Sequence, residues 1–144
     1  MSCIRFNTEA QMKQLKSITE TDGAVAQWLS PGATESKIAR IRAMAKDKNS
    51  KIRESAALSI HLPEDVAFVL VADKNVNVRA CLARNEITPT AILRELSDDK
   101  SPVVRRWVAV NFFAPVDVIE KLASDKDVQV RQLVEWKNSL KSAW

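Results

Sequence analysis

Glycine is nearly missing from this chain: Gly23 and Gly32 are the only two in 144 residues, and tyrosine is absent. With so few glycines, no glycine-rich loop able to cradle a phosphate can be built, which removes the common nucleotide-binding motifs. Cysteine is also scarce. Cys3 and Cys81 are too few and too far apart for a disulfide scaffold or a metal-ligand cluster, so no cofactor and no metal are expected. Cys81 falls inside a predicted helix and reads as a small buried apolar side chain. The single histidine, His61, stands just before a proline turn with no nucleophile or carboxylate placed beside it by sequence; it reads as a capping or surface group. No catalytic residue emerges, and the chain reads as a non-enzyme. No apolar run is long enough to cross a bilayer. The opening "MSCIRFNTEAQMK" lacks the apolar segment of a signal peptide. A cytoplasmic location without a membrane partner is therefore expected.

What is present is ordinary in bulk and unusual in order. Hydrophobic residues make up 46% and charged residues 28%, as in soluble globular proteins, and the length suits a single domain. A net charge of +4 permits an acidic partner without requiring one. The order is repetitive. "DKNSKIR" (47–53), "DKNVNVR" (73–79), "DKSPVVR" (99–105) and "DKDVQVR" (125–131) place four arginines, Arg53, Arg79, Arg105 and Arg131, 26 residues apart. Units of 26 residues counted from Ala43 align without gaps. Each carries an Asp–Lys pair, an aliphatic residue before the Arg, and an Ala at 57, 83 and 109 that becomes Glu135 in the last copy. Proline recurs at 63, 89 and 115. A fixed period of this length signals stacked supersecondary units.

Each unit reads as two helical segments. Pro89 suits the first turn of one, where its missing N–H has no partner to lose, and Ile92, Leu93 and Leu96 mark its apolar face. The second begins at "SPVVRRWVAVN" with Val104, Val108 and Ala109 inward, and Asn111 is suited to close it because Asn tolerates left-handed backbone. Neither helix can bury its apolar face alone, so stacked units must shield one another. The Asp and Arg of the repeated motif then read as scaffold: Asp73 accepting N–H groups in its turn, Arg79 reaching the Asp or carbonyls of an adjacent unit.

The Asp-x5-Arg pattern, "LARN" or "VAVN", and "TP" or "AP" leading into the next helix resemble the leucine-rich repeat variant family, and more broadly HEAT and armadillo arrays, over about residues 43–137. The resemblance implies an all-α, right-handed α-solenoid of about four 26-residue two-helix repeats, with the second helix short or 3-10. It also implies that the second helices line the concave side. The iron–sulfur domain known in that family is not carried over, since only Cys3 lies in the corresponding region. The chain is thus expected to be one domain, 1–144. Residues 1–42 form an atypical N-terminal helical cap around Trp28, and 43–144 form the array.

Function, on this reading, lies on the surface. Arg84, Arg106, Trp107 and Trp136 are the non-repeating residues of the second helices. Leu133, Trp136, Leu140 and Trp144 form a second apolar stripe on the last helix, read either as a cap buried on the final repeat or as a partner or dimer surface. The expectation is an interaction or scaffold module that binds a protein partner through the concave face or this stripe, with a homodimer through the C-terminal helix as one form. The alternative is a nucleic-acid binder. In it, Lys48, Lys74, Lys100 and Lys126 line one edge at about 10 Å intervals, the usual helix-packing distance, assisted by Arg84 and Arg106. Each Lys has an Asp beside it that weakens its field.

Overall fold

A computed structural model describes residues 33–142. Trp28, the helices expected before residue 33 and Trp144 lie outside the described residues. The chain divides after Thr34, and the second unit, from Glu35, holds every helix considered below. Among the described residues there are eight α-helices and no strand: α1 Glu35–Met44, α2 Ser50–Ala57, α3 Glu64–Leu70, α4 Val76–Arg84, α5 Thr90–Leu96, α6 Pro102–Val110, α7 Val116–Leu122 and α8 Val128–Ser142. No helix among them is long and apolar enough to cross a membrane.

Local chemistry sets these boundaries. The side chains of Asn49 and Asn75 cap α2 and α4 by accepting the N–H groups of Lys51 and Asn77. Asp127 does the same for α8, accepting from Gln129 and Val130. Pro63, Pro89 and Pro115 stand immediately before α3, α5 and α7, one position earlier than the first turn that the sequence suggested. Their rings fix the backbone entry angle there. The second helix of each pair is neither short nor 3-10. It is α-helical and, from α3 onward, the longer of the two: α4 and α6 have nine residues and α3, α5 and α7 seven, whereas α2 with eight is shorter than α1 with ten. The physical reason is that the even-numbered helices are covered on more than one side. α4 buries Val78, Arg79, Ala80, Leu82 and Ala83, whereas α5 buries only Ile92, Leu93 and Leu96.

The even-numbered helices pack on one another in order, α2 on α4, α4 on α6, α6 on α8, and the odd-numbered helices lean on their even-numbered neighbours. Ala57, Ala83 and Ala109 are fully buried, as close helix approach requires, while Glu135 at the corresponding place on α8 is exposed.

Two sets of polar bonds tie neighbours together. Arg53 grips Asp73 with both Nε and Nη2 (2.6 and 3.1 Å), Arg79 grips Asp99 (2.6 and 3.1 Å), and Arg105 grips Asp125 (2.8 and 3.0 Å). In all three pairs both side chains are less than a tenth exposed. The remaining nitrogen of Arg79 and of Arg105 donates to a carbonyl of its own turn, Asp73 O and Asp99 O, both at 2.7 Å. Each aspartate also accepts an N–H two residues on, as Asp73 does from Asn75 at 2.8 Å. Burial works against ionisation of Asp73 and Asp99, but the bidentate arginine and the turn N–H outweigh it and hold both below the usual carboxylate range. At Asp125 the bonds from Arg105 dominate, with the same result.

The second set corrects the reading of Asn111. Its backbone is extended (φ −62°, ψ 125°), and no described residue has positive φ. What Asn111 contributes is its side chain: Nδ2 donates to Ala83 O (2.8 Å) and Asn85 O (3.1 Å) of the preceding turn. Asn85, 26 residues earlier, donates in the same way to Ala57 O and Ser59 O (2.8 and 2.9 Å). Lys137, 26 residues later, takes the place of the amide and donates to Asn111 O. The turns after α2, α4 and α6 therefore lie side by side.

Candidate functional site

The repeated Asp and Arg are consumed by the scaffold, which leaves the residues between them. Lys48, Lys74, Lys100 and Lys126 are all exposed, in the turns that precede the even-numbered helices. Each neighbouring Asp from 73 onward is neutralised by an arginine of the preceding turn rather than by its own lysine. The grooves between successive lysines are nevertheless close to neutral. The one of about 460 Å³ holding Lys74 and Lys100 carries three cations against four carboxylates, Asp73, Glu95, Asp98 and Asp99. The next, of about 300 Å³ around Lys100 and Lys126, carries four against three. Arg84 is remote from this row. It sits at the far end of α4 from Lys74, and nine helical residues span about 13 Å. Arg106 is already engaged, its guanidinium 3.1 Å from the Asp127 carboxylate. The residues expected to act together on an anion are thus not brought together.

A different grouping is. Lys51, Glu54, Asn77, Cys81, Arg84 and Trp107 line an open groove of about 330 Å³ that runs across α2, α4 and α6. Within it the Arg84 guanidinium lies 5.2 Å from the centre of the Trp107 ring, a cation–π contact. Arg84 has no carboxylate partner among the described residues, so its N–H donors remain available. Trp107 is 37% exposed and is therefore not spent on the core. Cys81 is half-buried at the groove floor, packed against the core rather than fully inside it. Burial and the nearby Glu54 carboxylate push its thiol pKa up, which keeps it protonated and unreactive. Among the described residues no group of three or more His, Cys, Asp or Glu is placed to hold a metal.

On α8 the stripe divides. Leu133 packs partly against the core, while Trp136 and Leu140, one turn apart, remain 54% and 41% exposed. A stripe buried wholly as a cap is therefore not what these two residues form. Sequence reasoning missed three other exposed apolar residues. Phe112 and Phe113, in the turn after α6, are 82% and 59% exposed, and Val116 at the head of α7 is 67% exposed. The available signal was "NFFAPV", two aromatics in a turn where no helical period could bury them.

Comparison with known proteins finds no matching family model, and no curated protein or solved structure with significant similarity.

Proposed function

We propose that this chain is a non-enzymatic interaction module: a HEAT-like, right-handed α-solenoid of about four 26-residue units that holds a protein partner on the face shared by α2, α4 and α6 and on the stripe of α8. The stacking order of the even-numbered helices and the recurring Arg–Asp and Asn–carbonyl bonds support the architecture. The single observation that carries the function is Arg84 laid over the exposed Trp107. The positions equivalent to Trp107 in the other units are Ser55, Cys81 and Leu133, so the scaffold does not demand an aromatic there. A Trp that stacks an arginine at a groove surface offers a large apolar face and oriented donors together, the combination that dominates binding hot spots. The nucleic-acid alternative draws little support from the lysine grooves, where cations and carboxylates differ by one in either direction.

The test is capture of cross-linked partners by the full chain, compared with Arg84→Ala/Trp107→Ala. Both side chains are surface groups, so the variant should keep its far-UV helicity. The expected outcome is a saturable partner lost at least ~30-fold in affinity when both anchors are truncated, about 2 kcal/mol or more. Equal recovery by the variant would remove the groove from the account.

A further inference from the structure

We infer that the corner where the α6–α7 turn meets α8 is a pairing surface for a second copy of this chain. The inference rests on reading the α8 stripe as an interaction surface and commits that stripe to one partner. Its basis is continuity. Lys137 of α8 donates to Asn111 O, which ties α8, at the residue after Trp136, to the start of the turn carrying Phe112 and Phe113, and α8 also packs against α7, whose first residue is Val116. Phe112, Phe113 and Val116 lie in or at the end of the turn that Lys137 bonds to, Trp136 and Leu140 lie on the helix that carries Lys137, and each of the five is between 41% and 82% exposed. At roughly 150–250 Å² for a large side chain, their open apolar surface is about 500–600 Å². That is the upper end of the largest patch a monomer ordinarily carries, about 300–600 Å².

Area and charge both favour a second copy. Two such patches pressed together remove about 1,000–1,200 Å² from water, and a polar rim brings this to the low end of specific interfaces. An isologous contact needs only a surface that complements itself, and an apolar patch does so without requiring opposite charge. The run Phe112-Phe113-Ala114-Pro115-Val116 contains no charged residue. The exposed lysines Lys48, Lys74, Lys100 and Lys126 precede the even-numbered helices, whereas the patch lies at their other ends. Two copies meeting at this corner keep their basic edges apart. Glu120 and Glu135 are exposed on α7 and α8, the helices that carry Val116 and Trp136, so salt should screen their mutual repulsion and not weaken the pairing.

Sedimentation equilibrium of the full chain tests this. Over about 1–300 µM, a range suited to an interface of this size, the mass should rise toward twice the 16.1 kDa of one chain. It should hold or rise further between about 0.05 and 0.5 M NaCl. Phe112→Ser with Trp136→Ser should raise the dissociation constant about 100-fold or more with helicity unchanged. Phe112→Ser alone gives the same direction at a residue with no packing role. Val69→Ser, an exposed apolar residue of α3 away from the corner, should leave pairing intact. A chain that stays monomeric throughout, a dimer that survives the double substitution, or one that dissociates as salt rises overturns the inference. The Arg84→Ala/Trp107→Ala variant should still pair. A monomeric chain whose groove variant still loses its partner would sink the dimer alone and leave the proposed function standing.

Discussion

Arg79 carries the clearest division of labour in a single side chain. One nitrogen fixes the turn that it comes from, through Asp73 O, and the other two clamp Asp99 of the next turn. A guanidinium suits this because its donors form a rigid planar fork that matches a carboxylate on one edge while Nη1 still points to a carbonyl, a geometry a lysine ammonium does not offer. The aspartates then set a pH dependence. Their folded-state pKa values lie below the ordinary value of 3.8, so the native state favours the ionised form more than the unfolded chain does. The resulting stability is fully present above about pH 4 and is lost as pH falls through the depressed values. Urea unfolding should accordingly give a level midpoint from about pH 5 to 8 and a decline below about pH 4. In Asp99→Asn one of these carboxylates is gone, so part of that acid-dependent decline should disappear. An unchanged pH profile in the variant would mean that Asp99 is not held as described.

At the scale of elements, alanine decides how closely the even-numbered helices approach. Ala83 is fully buried on α4, which packs against both α2 and α6. Ala83→Leu adds three carbons where no space exists and should cost about 1–3 kcal/mol, measured by urea unfolding; no loss would contradict close packing there. This much was legible in the sequence, because Ala57, Ala83 and Ala109 recur at one position with aliphatics around them. The Asp–Arg motif was legible for the same reason. The use of Asn85 and Asn111 was not. An Asn after a helix suggests a left-handed cap, and nothing local reveals that its amide reaches a carbonyl 26 or 28 residues back. Helix lengths were misjudged because apolar periodicity shows which side is buried but not that the even-numbered helices are covered on several sides. The engagement of Arg106 by Asp127 was hidden because neither residue belongs to the repeated pattern.

For the whole molecule, one bond pattern explains both cohesion and surface. Among the described residues, buried polar rungs engage most of the repeated Asp, Arg and Asn, and the four lysines, Arg84 over Trp107, and Phe112, Phe113 and Trp136 are left exposed. The last unit departs from the pattern at three positions. Glu135 replaces the buried alanine and is exposed, Lys137 replaces the asparagine while still bonding back to Asn111 O, and Arg131 reaches Asp125 O but has no carboxylate partner among the described residues. An exposed glutamate in place of the buried alanine fits a helix on which, among the described residues, no further even-numbered helix packs. The exposure of Phe112, Phe113 and Val116 was the hardest to foresee, since they lie in a turn and at a helix head where no helical period applies. The most direct test of the central claim, that successive turns are bonded to their neighbours, is a double-mutant cycle by urea unfolding on Arg79→Ala and Asp99→Ala. The account predicts a coupling of about 1–3 kcal/mol between these two, and additivity within about 0.5 kcal/mol for Arg79→Ala with Asp125→Ala. Additivity for Arg79 and Asp99 would contradict it.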